Sequence, residues 1–313
     1  MFASAGRDAR RFAPLAVLII LSGAVGAVEP SFLSPYALNV LADESSVILI
    51  LATAQTVVIL LGGIDLSMAA VASLASVLIA LTLPAIGPGS LAGVLALTTL
   101  IGALQGLIHT RAQIPSFIVT LAGLGVWSGL ALAFAQTTVP VAAGYSNVGW
   151  LARSIVGVPN LFSVALAALV VLAVALRRLP FGRHVYAIGM AERAARLSGV
   201  PVGRVKILGF ALTGLFSGLA GLAMVARTSS GSPTIADSLL LPSIAAVVIG
   251  GTSITGGVGS LRRTFVGALT ITVLRVGFAT IGLDPAYEPI AYGVVLIMAA
   301  ALTVDRSKAQ IVK

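Results

Sequence analysis

The sequence contains no cysteine, which excludes disulfide bonds, thiolate chemistry and cysteine-based metal sites. It has only two histidines, His109 and His184, so a histidine-built metal cluster is not expected either. Charged residues make up 9% of the chain, against about a quarter in ordinary soluble domains. These scarcities argue against a soluble enzyme that works through a metal or a thiol.

Apolar residues are correspondingly abundant. They account for 58% of the 313 residues, and the mean hydropathy is +1.09. A soluble protein of this length could not bury so many apolar side chains in one core, so the surplus is predicted to face lipid. The net charge of +9 is spread over short loops with few aromatic residues between them. We therefore attribute it to membrane topology and not to nucleic-acid binding.

Ten apolar runs approach the length of about 17–25 residues that a membrane-spanning helix needs. They predict an all-α, polytopic membrane helix bundle with about ten transmembrane helices, forming one domain over residues 1–313. The runs are residues 12–28, 45–61, 66–83, 91–108, 116–135, 161–176, 207–226, 239–255, 264–282 and 287–304. Pro242 and the pair Gly250 and Gly251 interrupt the eighth run. The glycines at 250, 251, 256, 257 and 259 predict either a broken or re-entrant element near this run or a flexible turn.

The basic residues are distributed unevenly between the loops that join these runs. With a cytoplasmic N-terminus, sixteen Lys and Arg lie on the cytoplasmic side, whereas only Arg153 and Arg227 lie outside and Arg275 lies within a run. Seven of the sixteen belong to one loop, residues 177–206. Cytoplasmic loops are enriched in Lys and Arg, so this bias predicts ten spans with both termini in the cytoplasm.

The first run has an alternative interpretation. Arg10 and Arg11, followed by an apolar stretch and the small residues 24–27, resemble a secretory signal peptide. The run is long for a signal-peptide core, so we interpret it as a retained span.

A hairpin with the sequence GGIDLS, residues 62–67, joins the second and third runs. Its adjacent glycines permit a tight reversal of the chain. Asp65 is placed to accept the N–H of Ser67 or Met68 as a helix cap, the role we favour. Alternatively Asp65 lines a polar pathway, because carboxylates within a membrane cost about 2.5–3.5 kcal/mol to insert and are usually functional.

Small residues at four-residue spacing predict close contacts between helices, because they let two backbones approach each other. Such pairs are Gly102 and Gly106, Gly125 and Gly129, and Gly214 and Gly218.

Residues 191–198 of the basic loop predict a short helix. Glu192 and Arg196 form an i,i+4 pair in the favourable order, Gly199 suits a C-terminal stop, and Pro201 prevents continuation. Small side chains share one face of this helix, and that face suits insertion into a groove on a partner protein. The small residues are Ala191, Ala194, Ala195 and Ser198, flanked by Arg193, Arg196 and Leu197. A solvated connector is the alternative.

Five short runs in the chain recur together in one known family. They are GGIDLS at 62–67, IPSFIVTL at 114–121, FGRHVYAIG at 181–189, AARLSG at 194–199 and AAVVIGGTS at 245–253. In this order and spacing they resemble the ribose/xylose/galactose permease family, and the resemblance covers nearly the whole chain.

The resemblance implies the inner-membrane subunit of a bacterial ATP-binding cassette importer. Such a subunit receives a monosaccharide from a periplasmic binding protein and pairs with a second permease copy, as a homodimer or a heterodimer. The segment that would couple to the ATPase is Glu192, Arg193, Ala194, Ala195, Arg196, Leu197, Ser198 and Gly199. The chain has no Gly-x-x-x-x-Gly-Lys-Ser/Thr phosphate loop, so ATP is expected to be hydrolysed by the partner subunit. We expect no cofactor in this chain and no enzymatic activity.

Departures from the family pattern bear on the substrate. Gln105 stands where Asn is expected, Ser128 stands where Arg is frequent, and residues 239–242 replace a stretch that usually contains acidic residues. A hydroxyl-rich solute needs hydrogen-bonding groups. The candidate pathway residues are Asp65, Asn39, Gln55, Gln105 and Thr120. Each could instead bridge two helices.

Other transport functions remain open at this point. An importer of branched-chain amino acids or nucleosides could share the fold. An ion-coupled secondary transporter would normally need intramembrane acids and clear inverted repeats, whereas Asp65 is the only strong acidic candidate. A channel is disfavoured because no ring-forming repeat is visible.

Overall fold

The computed structural model describes the backbone of residues 2–303 and the side chains of residues 12–298. Thirteen α-helices lie within the described backbone. They are α1 (Phe2–Val28), α2 (Pro35–Leu60), α3 (Met68–Ile86), α4 (Gly89–Arg111), α5 (Ser116–Phe134), α6 (Ser146–Gly149), α7 (Asn160–Arg178), α8 (Pro180–Met190), α9 (Glu192–Leu197), α10 (Val202–Thr228), α11 (Leu240–Ile249), α12 (Leu261–Thr280) and α13 (Tyr287–Thr303). The predicted cytoplasmic side chains of Arg7, Arg10, Arg11, Arg306, Lys308 and Lys313 lie outside the described residues, as does residue 304 of the last predicted run.

The predicted helical membrane bundle is confirmed in its class. Six helices, α2, α3, α4, α5, α7 and α10, are long and apolar enough to cross a membrane by length and composition. Each of the ten predicted runs coincides with a helix, although the first, second and eighth differ clearly from theirs in extent. The second begins ten residues early, at Pro35, because Ser34 Oγ accepts the Ala37 N–H and proline suits the first helical turn.

Helix α2 occupies the centre of the bundle. Its residues 45–60 are all buried, and α7, α10, α11 and α12 pack around it. A helix with no exposed face in this stretch needs its polar groups satisfied by neighbours or by its own backbone. Thr56 Oγ1 accordingly lies 2.8 Å from Thr264 Oγ1 of α12, while Thr53 Oγ1 donates to the Leu49 carbonyl.

Helices α4 and α10 approach each other through two of the predicted glycine pairs. A Cβ added at Gly102 would lie 2.1 Å from the Phe210 carbonyl oxygen, and one at Gly214 would lie 2.0 Å from the Thr98 carbonyl oxygen. Gly106 and Gly218 extend the same contact. The predicted close packing is therefore confirmed for these pairs. Within the described residues, nothing lies within 4 Å of a Cβ added at the third pair, Gly125 and Gly129.

The eighth predicted run is indeed broken. Only α11, ten residues long, is α-helical there, and it is preceded by a segment that begins as a short strand and passes through turns into a 3-10 helix at Asp237–Leu239. That segment enters the bundle beside α3, where Ser232 N–H donates to Ser76 Oγ and Ala236 N–H donates to Ser73 Oγ, both at 3.1 Å. Its start pairs as strand Ser230–Gly231 with strand Val139–Pro140. A second short antiparallel pair joins Ser154–Ile155 to Val158–Pro159.

Opposite ends of the bundle carry different charged groups. At one end, Arg227 of α10 pairs with Asp43 at 3.4 Å and with Glu44, both of α2. Arg275 of α12 lies 3.7 Å from Glu44 and also 3.7 Å from Glu288 of α13. The other end carries α8, α9 and the first turns of α10 and α12, which hold most of the basic loop residues. Arg275 is thus paired, which explains how a cation is tolerated within a predicted span.

Candidate functional site

The hairpin between α2 and α3, residues 62–67, is held by polar side chains of α5. Ser116 Oγ accepts the Ile64 N–H at 3.1 Å, and Thr120 Oγ1 donates to the Ile64 carbonyl at 3.2 Å. Gly62 turns the chain with φ = +80°, a conformation that strongly favours glycine. Side chains of the run at 114–121 therefore hold the backbone of a run about 52 residues earlier. We call residues 62–67 the clasped hairpin.

Asp65 is 2% exposed at the end of this hairpin. Its Oδ1 accepts the Ser67 N–H at 2.8 Å, the hydrogen bond expected from the sequence, and the Ser67 hydroxyl at 2.7 Å, although Ser67 itself is the N-cap residue of α3. Its Oδ2 lies 2.6 Å from Thr213 Oγ1 of α10. A buried carboxylate is stable only when its oxygens are hydrogen-bonded, and here both oxygens accept. Asp65 therefore ties the start of α3 to α10.

Gln105 of α4 and Trp127 of α5 extend this polar cluster. Gln105 Oε1 lies 2.9 Å from Ser67 Oγ and is a second acceptor for the one hydroxyl proton that Asp65 Oδ1 also accepts. Its Nε2 and the Trp127 Nε1 are buried donors that find no acceptor among the described residues. Both approach Gly123, at 2.6 Å and 3.1 Å from the position that a Cβ would occupy there. Burying a hydrogen-bond donor without an acceptor costs free energy, so we expect an acceptor oxygen to bind beside Gln105 Nε2 and Trp127 Nε1.

The structure brings together three of the five candidate pathway residues. Asp65, Gln105 and Thr120 all contact residues 62–67, whereas the other two lie elsewhere on α2. Asn39 is half-buried near the opposite end and donates to the Pro35 carbonyl at 3.1 Å. Gln55 is fully buried, and neither atom of its amide has a hydrogen-bond partner in the described part of the chain.

Backbone contacts join the same hairpin to two other segments. Gly257 N–H donates to the Leu60 carbonyl at 2.9 Å, and a Cβ at Gly189 would lie only 1.9 Å from that same oxygen. A cavity of about 390 Å³ opens here, between the hairpin and the joint of α8 and α9. Its lining includes Gly62, Ser116, Gly189, Met190 and Glu192. The end of α2 is thus packed directly against the segment that leads into α9.

Helix α9 has the predicted start and stop. Gly199 has φ = +80°, and the Val200 N–H bonds back to the Ala195 carbonyl. Of the small residues predicted to form the docking face, Ala191, Ala194 and Ser198 are exposed, whereas Ala195 is 6% exposed and packs into the core of this chain. Leu197 is 83% exposed instead, beside the exposed Arg193 and Ala194. The small side chain of Ala195 lets α9 sit close to its own bundle, and the outward face is the one with Leu197.

Glu192 anchors α9 to α10. It pairs with Arg196 at 3.0 Å, as the i,i+4 spacing predicts, and with Lys206 at 2.7 Å, which the sequence analysis missed. Partial burial tends to raise the pKa of Glu192, but the hydrogen bonds and charges of Lys206 and Arg196 together outweigh it and hold the pKa below its ordinary value. The charged form of Glu192 is therefore favoured by this fold.

Three functional candidates were missed by sequence reasoning: Thr213, Trp127 and Lys206. Thr213 meets Asp65 148 positions away, Lys206 meets Glu192 of the preceding helix 14 positions away, and Trp127 lies near Gln105, and the spacing within one helix carries no signal for any of these contacts. Trp127 had one available signal, since it lies between Gly125 and Gly129 and is one of only two tryptophans in the chain. A single tryptophan among small residues indicates either a packing anchor or a ligand contact.

The chain is similar to several known permeases over most of its length. A family model described as branched-chain amino acid transport system / permease component matches residues 36–300. The ribose import permease of Bacillus subtilis is 37% identical over 311 residues, covering 96% of this chain and 94% of that protein. The corresponding protein of Escherichia coli K12 is 35% identical over 305 residues, covering 94% and 93%.

A permease named for a different sugar is nearly as similar. The fructose import permease of Rhizobium meliloti is 34% identical over 304 residues, covering 92% of this chain and 84% of that protein. No solved structure gives a significant match. The matched span includes every helix from α2 to α12, the clasped hairpin and the α9 segment. The chain therefore belongs to the family of branched-chain amino acid transport system permease components.

Proposed function

We propose that this chain is the membrane-spanning subunit of an inner-membrane ATP-binding cassette importer for a monosaccharide delivered by a periplasmic binding protein. The observation that carries the proposal is the 34–37% identity, over more than nine-tenths of the chain, to import permeases named for ribose and fructose. The absence of a phosphate loop from the sequence supports a separate ATPase. The ribose and fructose relatives favour a sugar over an amino acid or a nucleoside.

The chain crosses the membrane ten times, with both termini in the cytoplasm. The sixteen-to-two distribution of Lys and Arg supports this topology, and so does the position of α8 and α9 at one end of the bundle with the Arg227 pairs at the other. Beyond the six helices that qualify by length and composition, α1, α12 and α13 each supply a crossing, and the ten-residue α11, about 15 Å long, completes the tenth together with residues 230–239 that precede it.

The ATPase docks on α9. The exposed side chains of Arg193, Ala194 and Leu197 form the contact, and Glu192 passes the motion to α10 through Lys206. The close contact between Gly189 and the Leu60 carbonyl transmits the same motion to the hairpin at 62–67. Direct backbone contact transmits small displacements well, because closely packed elements cannot deform independently.

The solute passes beside α5. Gln105 Nε2 and Trp127 Nε1 donate to solute oxygens in turn, a role that suits a hydroxyl-rich molecule and needs no bound charge. Asp65 keeps the hairpin in position by accepting the Ser67 N–H. The second permease copy packs on the α5 face that carries Gly125 and Gly129, because these glycines leave room for another backbone.

Reconstitution into vesicles tests this function. The permease, its ATPase and the binding protein loaded with labelled ribose or fructose should together give ATP-dependent uptake into vesicles. Omitting the ATPase should abolish uptake. Uphill uptake by the permease alone, driven by a proton or sodium gradient, would instead indicate a secondary transporter.

A further inference from the structure

A groove of about 640 Å³ lies between α1, α7, α8 and α12, away from the clasped hairpin. One wall is formed by Phe12 and Leu15 of α1, both exposed, and the opposite wall by Ala173 of α7 and Val266 of α12. Tyr186 of α8 closes one side, and its hydroxyl donates to the Gly259 carbonyl at 3.2 Å. The walls of this part of the groove are therefore apolar.

The described cationic side chains of the groove lie at one of its ends. Arg177 is in the last turn of α7, and Arg262 and Arg263 are in the first turn of α12. Val266 and Ala173 lie three or four residues farther along their helices, which corresponds to about 5–6 Å of depth. The groove is therefore charged at its mouth and apolar below it, which matches the change from head groups to acyl chains at a membrane surface.

Among the side chains of residues 12–298, no carboxylate pairs with any of these three arginines. Glu192, Glu44 and Glu288 pair with other basic residues. Arg177 and Arg262 are exposed, while Arg263 is half-buried and donates to Ser260 Oγ at 3.3 Å. Burial raises the pKa of the nearby Tyr186, with the charge of Arg263 acting in the opposite direction. The groove thus offers positive charge to a ligand.

We infer that this groove binds an anionic phospholipid of the cytoplasmic leaflet, with the phosphate at Arg177, Arg262 and Arg263 and an acyl chain against Phe12, Leu15 and Val266. The lipid leaflet follows from the topology in the proposed function. An uncharged or zwitterionic lipid would leave three guanidinium groups without compensation, and a soluble phosphate would leave the exposed Phe12 and Leu15 uncovered. The bound lipid would fix α1 against α12.

Lipid binding to the purified full-length permease tests the inference. Dioleoylphosphatidylglycerol is titrated against dioleoylphosphatidylcholine, and retained lipid is counted by native mass spectrometry. The first lipid should be retained preferentially by the wild type. Arg177→Gln and Arg262→Gln should each weaken its retention about fivefold, since each basic residue near an anionic lipid surface contributes about 1 kcal/mol. Arg153→Gln, an exposed arginine in the loop between α6 and α7, is the matched control and should have no effect.

Several outcomes would overturn the inference. Equal retention of the two lipids would do so, as would an equal loss in Arg153→Gln. Displacement of the lipid by millimolar glycerol phosphate would indicate a soluble anion site. Lost co-purification with the ATPase, with unchanged lipid retention in Arg262→Gln, would make this end an ATPase contact. Sugar uptake into phosphatidylcholine vesicles is measured in parallel, so that a failed transport function and a failed lipid site are told apart.

Discussion

Thr213 Oγ1 donates a hydrogen bond of 2.6 Å to Asp65 Oδ2, joining residues 148 positions apart in the chain. Asp65 Oδ1 simultaneously accepts the Ser67 N–H, so one carboxylate links the hairpin, α3 and α10. The hydroxyl of Thr213 also lies 2.8 Å from the Phe210 carbonyl, which gives it a second acceptor. An uncharged side chain could make the same hydrogen bonds, so the structural role of Asp65 can be tested separately from any role of its negative charge.

Replacing Asp65 by Asn should leave folding nearly unchanged. The Asn oxygen can still accept the Ser67 N–H, while the amide can donate to Thr213 Oγ1, whose proton then goes to Phe210. Asp65→Leu should destabilise the protein by about 1–3 kcal/mol for each buried donor left unpaired. Thermal unfolding and uptake by the same preparations measure both effects, with Thr213→Ser as a hydroxyl-retaining control. A stable Asp65→Asn variant without transport would place the negative charge in the mechanism.

Gly102→Leu should prevent folding of the bundle, because a Cβ there would overlap the Phe210 carbonyl oxygen. Overpacking commonly costs 1–3 kcal/mol, and backbone at this distance cannot move aside as a side chain can. Gly93→Leu on the same helix is the control, since nothing described lies within 4 Å of its Cβ position. Monodispersity on size-exclusion chromatography reports folding. Similar yields of folded protein from both variants would contradict the close packing of α4 and α10.

Gly129→Leu should separate the two permease copies without unfolding either one. Its Cβ position is open within the described chain, so the substitution adds bulk only where a second copy is expected. Cross-linking or light scattering should show a shift from dimer to monomer, with Gly93→Leu remaining dimeric. A dimeric Gly129→Leu would move the interface to another face.

Leu197→Asp should weaken ATPase binding by about tenfold or more, as expected when an exposed apolar anchor worth about 1.4 kcal/mol is lost. Co-purification with the ATPase measures the effect on equal amounts of inserted permease. Val156→Asp makes the same chemical change at a residue that is 96% exposed in the loop between α6 and α7, and it should leave binding intact. Ala195→Leu is a poor test of docking, because Ala195 faces the core and the change should destabilise α9 itself.

The Glu192 ion pairs should make the docking of α9 sensitive to acid. The pKa of Glu192 is lowered in the folded chain, so its contribution to stability is present above the unfolded value of 4.5 and is lost as pH falls through the folded value. The melting temperature of the wild type should exceed that of Glu192→Gln at neutral pH, and the difference should begin to shrink below pH 4.5 and vanish once the pH is below the folded pKa. A difference that grows on acidification would contradict the ion-pair assignment.

Reporter fusions test the topology. Fusions after Lys313 and near Lys206 should both report cytoplasm, and a fusion near Asn147 should report periplasm. If the Lys313 and Asn147 fusions lie on the same side of the membrane, the ten-span topology is wrong, while the helix packing described above would stand.

The class of this protein and the positions of its helices follow from the sequence, because hydropathy is a local property that a window of about twenty residues captures. The hydrogen bond from the Ser67 N–H to Asp65, the Glu192–Arg196 pair and the stop at Gly199 were also predictable, since each involves residues within a few positions of one another. The early start of α2 could not be read from hydropathy, because Asp43 and Glu44 suggest a loop until Arg227 is brought beside them.

Only the tertiary structure decided how the helices are rotated and which distant residues meet. A helix that is apolar on every side, such as α2, has no amphipathic stripe to indicate its neighbours. The three glycine pairs have the same spacing in the sequence, yet they differ in the structure. Two of them pack α4 against α10, whereas nothing described lies within 4 Å of the Cβ positions of Gly125 and Gly129. The same reason explains why Ala195 faces inward and Leu197 outward, and why Thr213, Trp127 and Lys206 were recognised only once their helices were packed against others.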